Sequence, residues 1–297
     1  MTPNTGITAS KEAPSTYRGR DAAEEAPAPP VQRVGRPSRL SGDLGRIPAG
    51  MSPPIDAVVG GSDSEVARVR FGSVRGHAHR YYGEPRQDAI RVVCSPTDDV
   101  TVVAIADGVG TAHLSAQGAG FVVEEACRLM IEEVGAVADW WSILFSRLSM
   151  GLTELARALN CSSTDLATTL AVALLREEGT TTIADIAYVG DAVVLVLPET
   201  DLPDESDILS TETAAMPLNF DRVTCESFHV APGETFLMAT DGFAHLAFRG
   251  PGRAMVQESW NLDLPQSLGR FLWDMDVVAK TFDDDRTVFV YQRKRRD

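Results

Sequence analysis

An α+β layered domain is the fold class this sequence predicts, and three observations predict it. Apolar runs of strand length recur with turn signals between them, two long stretches with helical spacing lie mid-chain, and no regular β-α-β alternation is present. The sequence also lacks the glycine fingerprints G-x-G-x-x-G and G-x-x-x-x-G-K, which argues against a Rossmann or P-loop nucleotide site.

The elements follow in order. Residues 1–62 are rich in Pro, Ala, Gly, Ser and Arg, with APAPP and PSRLSG stretches and no apolar period, and read as a disordered tail. Ser38 and Ser41 lie near arginines and are candidate phosphorylation sites, against the plainer reading of a solvated tether. Order is expected from near Val66, within a domain placed at residues 63–293. VARVRFGSV alternates like a strand with one buried face, AIRVVC is a second strand, and VTVVAIA is continuous enough to be a buried third.

Two helices are expected next. The first carries Ala119, Val122, Val123, Ala126, Leu129 and Met130 on one face, and the second carries Trp141, Leu144, Leu148, Leu152 and Leu155. Both stripes read as core. TLAVALL, TTIADIAYVG and AVVLVL are short strands of a meander, turning at Glu178-Gly179 and Gly190-Asp191. The polar stretch 198–222 is long for a connection and reads as a flap or a surface excursion. ESFHVA and ETFLMA are strands, residues 242–260 are expected to be irregular, residues near 264–279 helical, and RTVFVYQ is the final strand. The basic end, RKRR, reads as an exposed tail, with residues 294–297 beyond the domain.

Composition narrows the function classes. A 297-residue chain with 44% hydrophobic residues is ordinary for a folded protein. Its formal charge of −15, from 42 acidic against 27 basic residues, disfavours nucleic acid or an anionic membrane as partner. The absence of a signal-like segment or an apolar run of ~20 residues points to the cytoplasm. Cys94, Cys127, Cys161 and Cys225 are scattered without a C-x-x-C pair, as suits reduced thiols.

The chemistry is carried by four aspartates far apart in the chain: Asp88 in RQDA, Asp107 in AIADGVG, Asp241 in LMATDGF and Asp284 in DDDRTVFV. Three of them abut an apolar strand-like run, so they belong at strand ends where a rigid sheet can aim them. Carboxylates converging in a cleft repel one another unless a hard divalent cation neutralises them. The glycine after Asp107 and after Asp241 lets the backbone turn tightly and present a carbonyl beside the carboxylate. Asp-Gly alone is common in hairpins, whereas the ordered set is far more specific. It points to metal-assisted phosphate hydrolysis.

At these residues the chain resembles the metal-dependent, type 2C serine/threonine protein phosphatases. The likeness runs from about residue 70 to 291, through Ala106-Asp107-Gly108, Ala167-Thr168-Thr169, Val189-Gly190-Asp191-Ala192, Thr240-Asp241-Gly242 and Asp284-Asp285-Arg286-Thr287. Gly76 through His79 and Gln87-Asp88-Ala89 resemble a bacterial branch with G-x-x-H and Gln-Asp-Ala. The resemblance implies a four-layer α/β/β/α sandwich of two antiparallel sheets flanked by helices, with two Mg²⁺ or Mn²⁺ ions at one end. Asp107 would bridge the ions, the Gly108 carbonyl would bind one, Asp241 and Asp284 the other, and Asp88 would bind directly or through water. Asp107, Asp88 and His79 are the implied catalytic groups, with His113 a second candidate proton donor and a structural role the competing reading of either histidine. The implied partners are phosphorylated proteins and a cognate serine/threonine kinase.

Four departures qualify the likeness. Gln87 replaces the glutamate of many relatives, Gly83 stands where many have a phosphate-binding arginine, Val109 replaces a histidine, and His245 replaces an aspartate. Arg80 and Arg86 are the nearby candidates to grip phosphate. His245 argues against a third ion, to which Asp165 is a remaining candidate contributor. Asp191 is expected to stabilise a turn, and Asp283 and Asp285 to be solvated neighbours of Asp284. The rival to a phosphatase is a pseudophosphatase, a binding module without turnover; a small-phosphoester phosphatase is a third reading.

Overall fold

The computed structural model of the chain describes residues 56–95, 100–133, 140–197, 214–249, 260, 264–265, 267–278 and 282–295. The expected N-terminal tail, with Ser38 and Ser41, and most of the expected flap lie outside the described residues.

Two five-stranded antiparallel sheets face each other. The first has the order β1-β2-β10-β9-β7 and the second β3-β4-β5-β6-β8. In chain order the strands are β1 (Ala57–Asp63), β2 (Ala67–Val74), β3 (Ala89–Ser95), β4 (Val100–Ala106), β5 (Leu170–Glu178), β6 (Thr181–Val189), β7 (Val193–Leu197), β8 (Thr224–Val230), β9 (Thr235–Ala239) and β10 (Arg286–Arg293). Helix α1 (His77–Tyr82) follows β2; α2 (Ser115–Glu133) and α3 (Trp140–Leu159) join β4 to β5; α4 (Asp241–Arg249) and α5 (Leu268–Met275) lie between β9 and β10.

The unbroken apolar run of β4 is explained by burial on both faces. Val103 and Ile105 enter the core between the sheets, with Ala171, Ile186, Phe236, Met238 and Phe289. Val102, Ala104 and Ala106 face the other way, into the layer beneath α2 and α3. All six residues of the α2 stripe are buried there, as are Leu144, Leu148 and Leu152 of α3. Trp140 rather than Trp141 is the buried tryptophan of α3. On the outer face of the first sheet, Phe243 of α4 and Phe271 of α5 stack on Trp260 at 5.4 and 4.8 Å. The Trp260 indole N–H donates to Asp274, which also pairs with Arg270. The four-layer sandwich is therefore as expected.

Three local expectations change. The folded sheet begins with β1 at Ala57, ahead of the boundary at residue 63, because Ala57 through Asp63 pair with β2 along its length. Residues 241–249 form α4 rather than an irregular segment; its Phe243, Ala244 and Ala247 seal the first sheet. Arg293 is not part of an exposed tail: it is 2% exposed, with its guanidinium on Thr182 Oγ1 at 2.8 Å and Glu177 at 3.4 Å. Lys294 is stitched back as well, its backbone N–H donating to Val66 O at 2.8 Å. Among the described residues no helix is long and apolar enough to cross a membrane.

Candidate active site

One end of the sandwich gathers strand tips from both sheets. Asp107 follows β4 of the second sheet, Asp241 follows β9 of the first, and Asp284 precedes β10 beside it. With Gly108, Val109, Gly110, His79, Gln87, Thr169 and Asp191 they line an open cleft of about 240 Å³. The Asp241 carboxyl is close enough to Asp107 to raise its pKa. Four of the five expected metal-binding residues thus share one cavity.

The backbone of Asp107 is fixed from behind. Its carbonyl accepts from the Thr169 N–H at 2.7 Å and the Thr168 hydroxyl at 2.9 Å, and its own N–H donates to Thr169 Oγ1 at 3.0 Å. The Ala-Thr-Thr segment is therefore a brace for the metal-site aspartate. Asp88 is the fifth residue of the expected set and lies just behind the lining, 3% exposed. Its Oδ2 accepts from the hydroxyls of Thr287 at 2.6 Å and Thr240 at 2.8 Å, and Ser73 Oγ continues the chain 2.7 Å from Thr287 Oγ1.

Such a donor set is costly without a cation. Burial, then repulsion from Asp285 and Asp284, pushes Asp88 well above the usual carboxylate range, against the two threonine hydroxyls that favour its ionised form. Asp107 is pushed up in the same way, by burial and then by Asp88, Asp241 and Asp284. Oxygen-only ligands from rigid strand ends, each destabilised by its neighbours, fit a hard divalent ion.

His79 also lines the cleft. Its Nδ1 lies 2.9 Å from Asp285 Oδ1 and 3.9 Å from Asp284. Burial alone would lower its pKa, but the hydrogen bond to Asp285 and the charges of Asp285, Asp284 and Glu84 prevail and raise it to about 9. His113 is exposed and is not on the lining.

The two candidate phosphate-gripping arginines are placed elsewhere. Arg80 is paired with Asp276 at 3.1 Å. Arg86 donates to the carbonyls of Asp88 at 3.0 Å and Ser73 at 3.2 Å. Neither lines the cleft, and a guanidinium held by a carboxylate or by backbone carbonyls is not free to close on a phosphoryl group; that expectation gains no support. Asp165 accepts the N–H of Ser162 in the capping box of a short 3-10 helix, which accounts for it structurally.

Sequence reasoning missed Asp285. It is 3% exposed rather than solvated and accepts from four donors. No local signal marked it: Asp285 precedes β10, and the donors that bury it come from Gly76, His79, Gln87 and Asp88, remote in sequence. Asp191, expected only to support a turn, opens on the lining as well.

Comparison with known proteins fits this geometry. Residues 75–273 match the family model described as Protein phosphatase 2C. The chain belongs to the protein phosphatase 2C family. It is a phosphatase of the serine/threonine class, and the family is metal-dependent. No curated protein sequence matches this phosphatase. Among solved structures, a bacterial serine phosphatase is 17% identical, with a TM-score of 0.52, covering 77% of this chain and 98% of its own. The Mycobacterium tuberculosis serine/threonine phosphatase PstP/Ppp is 15% identical, with a TM-score of 0.50, covering 77% of this chain and 99% of its own. At such identities these two establish the fold.

Proposed function

We propose that this type 2C phosphatase removes phosphate from phosphoserine and phosphothreonine in proteins at a centre of two Mg²⁺ or Mn²⁺ ions. The observation that carries the proposal is the convergence of Asp107, Gly108, Asp241 and Asp284 on one cleft from separate strand ends. Asp107, Asp241 and Asp284, with the Gly108 carbonyl, would hold the ions, and Asp88 would act on them from behind. When bound, the ions supply charge neutralisation at phosphorus and a water made acidic enough to attack at neutral pH.

The chain's own groups complete the site. Thr168 and Thr169 hold the Asp107 backbone, so the strand tip that carries its carboxylate is fixed at the cleft. Thr240 and Thr287 hold one oxygen of Asp88 and leave the other to water or metal. His79 lines the cleft, placed to donate a hydrogen bond to a phosphoryl oxygen or a proton to the departing serine or threonine oxygen. The reading extends to a cytoplasmic setting in which a serine/threonine kinase supplies the substrates.

The test is Mn²⁺-dependent release of phosphate from a phosphothreonine peptide, compared between the wild type and Asp107→Asn. Release abolished by EDTA and by the substitution supports the proposal. Metal binding seen by calorimetry without any release would replace it with the binding-module reading.

A further inference from the structure

The buried carboxylate of Asp285 holds two segments that are distant from it in sequence. Its Oδ1 accepts from the Gly76 N–H at 2.6 Å and lies 2.9 Å from His79 Nδ1. Its Oδ2 accepts from the N–H groups of Gln87 at 2.5 Å and Asp88 at 3.2 Å. Each oxygen thus serves one segment: Oδ1 the start of α1, Oδ2 the approach to β3. The same residue's own N–H donates to Asp284 Oδ1 at 2.8 Å, fixing the neighbouring carboxylate at the cleft rim.

The turn that carries Asp285 is clamped on two sides. A Cβ on Gly76 would lie 2.3 Å from the Asp284 carbonyl carbon, and one on Gly242 would lie 2.0 Å from Asp285 O. The carboxylate is thereby held where its donors are. His79, Asp284 and Asp285 also form a cluster compact enough to suggest a metal site. The donors argue against that role for Asp285: both of its oxygens already face N–H groups, whose positive ends would repel a cation in the same place.

We propose that Asp285 is a positioning residue, which holds the His79 ring by Nδ1 and the Gln87 and Asp88 backbone in register with the metal-ligating aspartates. It rests on the phosphatase reading above only for the catalytic consequence, since the hydrogen-bond pattern stands without it. A carboxylate is required because both oxygens must accept. An Asn side chain has a single acceptor oxygen. Its NH₂ group would face either the His79 side or the Gln87 side, and that segment would be released. With Nδ1 donating to Asp285, Nε2 is the ring nitrogen left for substrate.

Three readouts on the full chain test this. In the metal-free wild type, the His79 Nδ1 proton should give a downfield NMR resonance protected from exchange, and this should vanish in Asp285→Asn. Calorimetry should show Mn²⁺ binding weakened roughly tenfold to a hundredfold in Asp285→Asn, as is usual when a partner behind a metal ligand is lost. In turnover, kcat should fall by a similar factor, about tenfold or more, while KM stays within about twofold. Combining His79→Gln with Asp285→Asn should cost little more than the more harmful of the two alone.

A wild-type His79 ring that exchanges freely would overturn the proposal, and this needs no variant to fold. So would an Asp285→Asn protein that keeps wild-type Mn²⁺ affinity. If the wild type binds Mn²⁺ but releases no phosphate, the phosphatase reading fails while the NMR and calorimetric readouts still decide the role of Asp285.

Discussion

Thr287 donates its hydroxyl hydrogen to Asp88 across 199 residues of sequence, at 2.6 Å, from the second position of β10. Its oxygen lies 2.7 Å from Ser73 Oγ, while Thr240 brings a second hydroxyl to the same Asp88 oxygen at 2.8 Å. A buried carboxylate is therefore oriented by two neutral donors, which favour its ionised form against the burial and the repulsion from Asp285 that raise its pKa.

Thr287→Val keeps the shape and removes the donor. Asp88 is already pushed upward by burial and by Asp285, so losing a donor raises it further and favours the protonated acid. Unfolding in urea should show a loss of about 1–3 kcal/mol. The Mn²⁺ concentration for half-maximal activity should rise, with the protein still folded by circular dichroism. An unchanged metal requirement would remove Asp88 from the centre.

Asp107→Asn should move activity and stability in opposite directions. The Asp107 carboxyl is disfavoured by burial first and then by Asp88, Asp241 and Asp284, so neutralising it relieves repulsion in the metal-free protein. In EDTA the variant should melt higher than the wild type, by ~2–4 °C for each kcal/mol relieved. In Mn²⁺ the order should reverse, because only the wild type gains the full binding energy. Melting curves in both buffers settle it; a variant that melts lower in EDTA would contradict the repulsion.

The histidines of α1 offer a pH test. His77 is 8% exposed, and its Nε2 is buried without a hydrogen-bond partner. Burial first, then Arg80 and Arg286, lowers its pKa below 6.5. The unfolded chain therefore takes up a proton that the folded chain refuses, and this contribution to stability is lost as pH falls through and below 6.5. His79 acts in the opposite sense: its folded value of about 9 stabilises fully below 6.5 and ceases to do so as pH rises through 9. His77→Gln, made with His79 intact, should lose less stability than the wild type between about pH 7.5 and about pH 5.5, roughly a unit either side of the free histidine value. Urea midpoints at the two values measure it, and equal losses would show that His77 is not the refusing group.

Legibility in the sequence followed the strength of local signals. The β4 run and the stripes of α2 and α3 were plain because burial on a rigid face imposes periodicity on every residue. Asp107, Asp241 and Asp284 were legible because each abuts a strand, and Asp-Gly marks two of those ends. Asp285 was not, since a third consecutive aspartate looks solvated until the facing donors of Gly76, Gln87 and Asp88 are known. The same holds for Arg293 and for α4, whose burial is decided by partners remote in sequence.

Two glycines give paired predictions from space alone. A Cβ at Gly242 would lie 2.0 Å from Asp285 O, a backbone atom that no rotamer change can move. Gly242→Ala must then push the start of α4, with Asp241, away from the turn that carries Asp284 and Asp285. Overpacking of this kind costs about 1–3 kcal/mol, and here the displacement falls directly on two metal-site aspartates. Activity should drop by more than the loss of stability explains, measured well below the melting temperature. Gly120, inside α2, has nothing within 4 Å of the same added atom. Gly120→Ala should therefore raise stability by ~0.5–1 kcal/mol through helix propensity and leave turnover unchanged. If Gly242→Ala behaved like Gly120→Ala in both melting and turnover, the close contact between α4 and the Asp285 turn would not exist in solution.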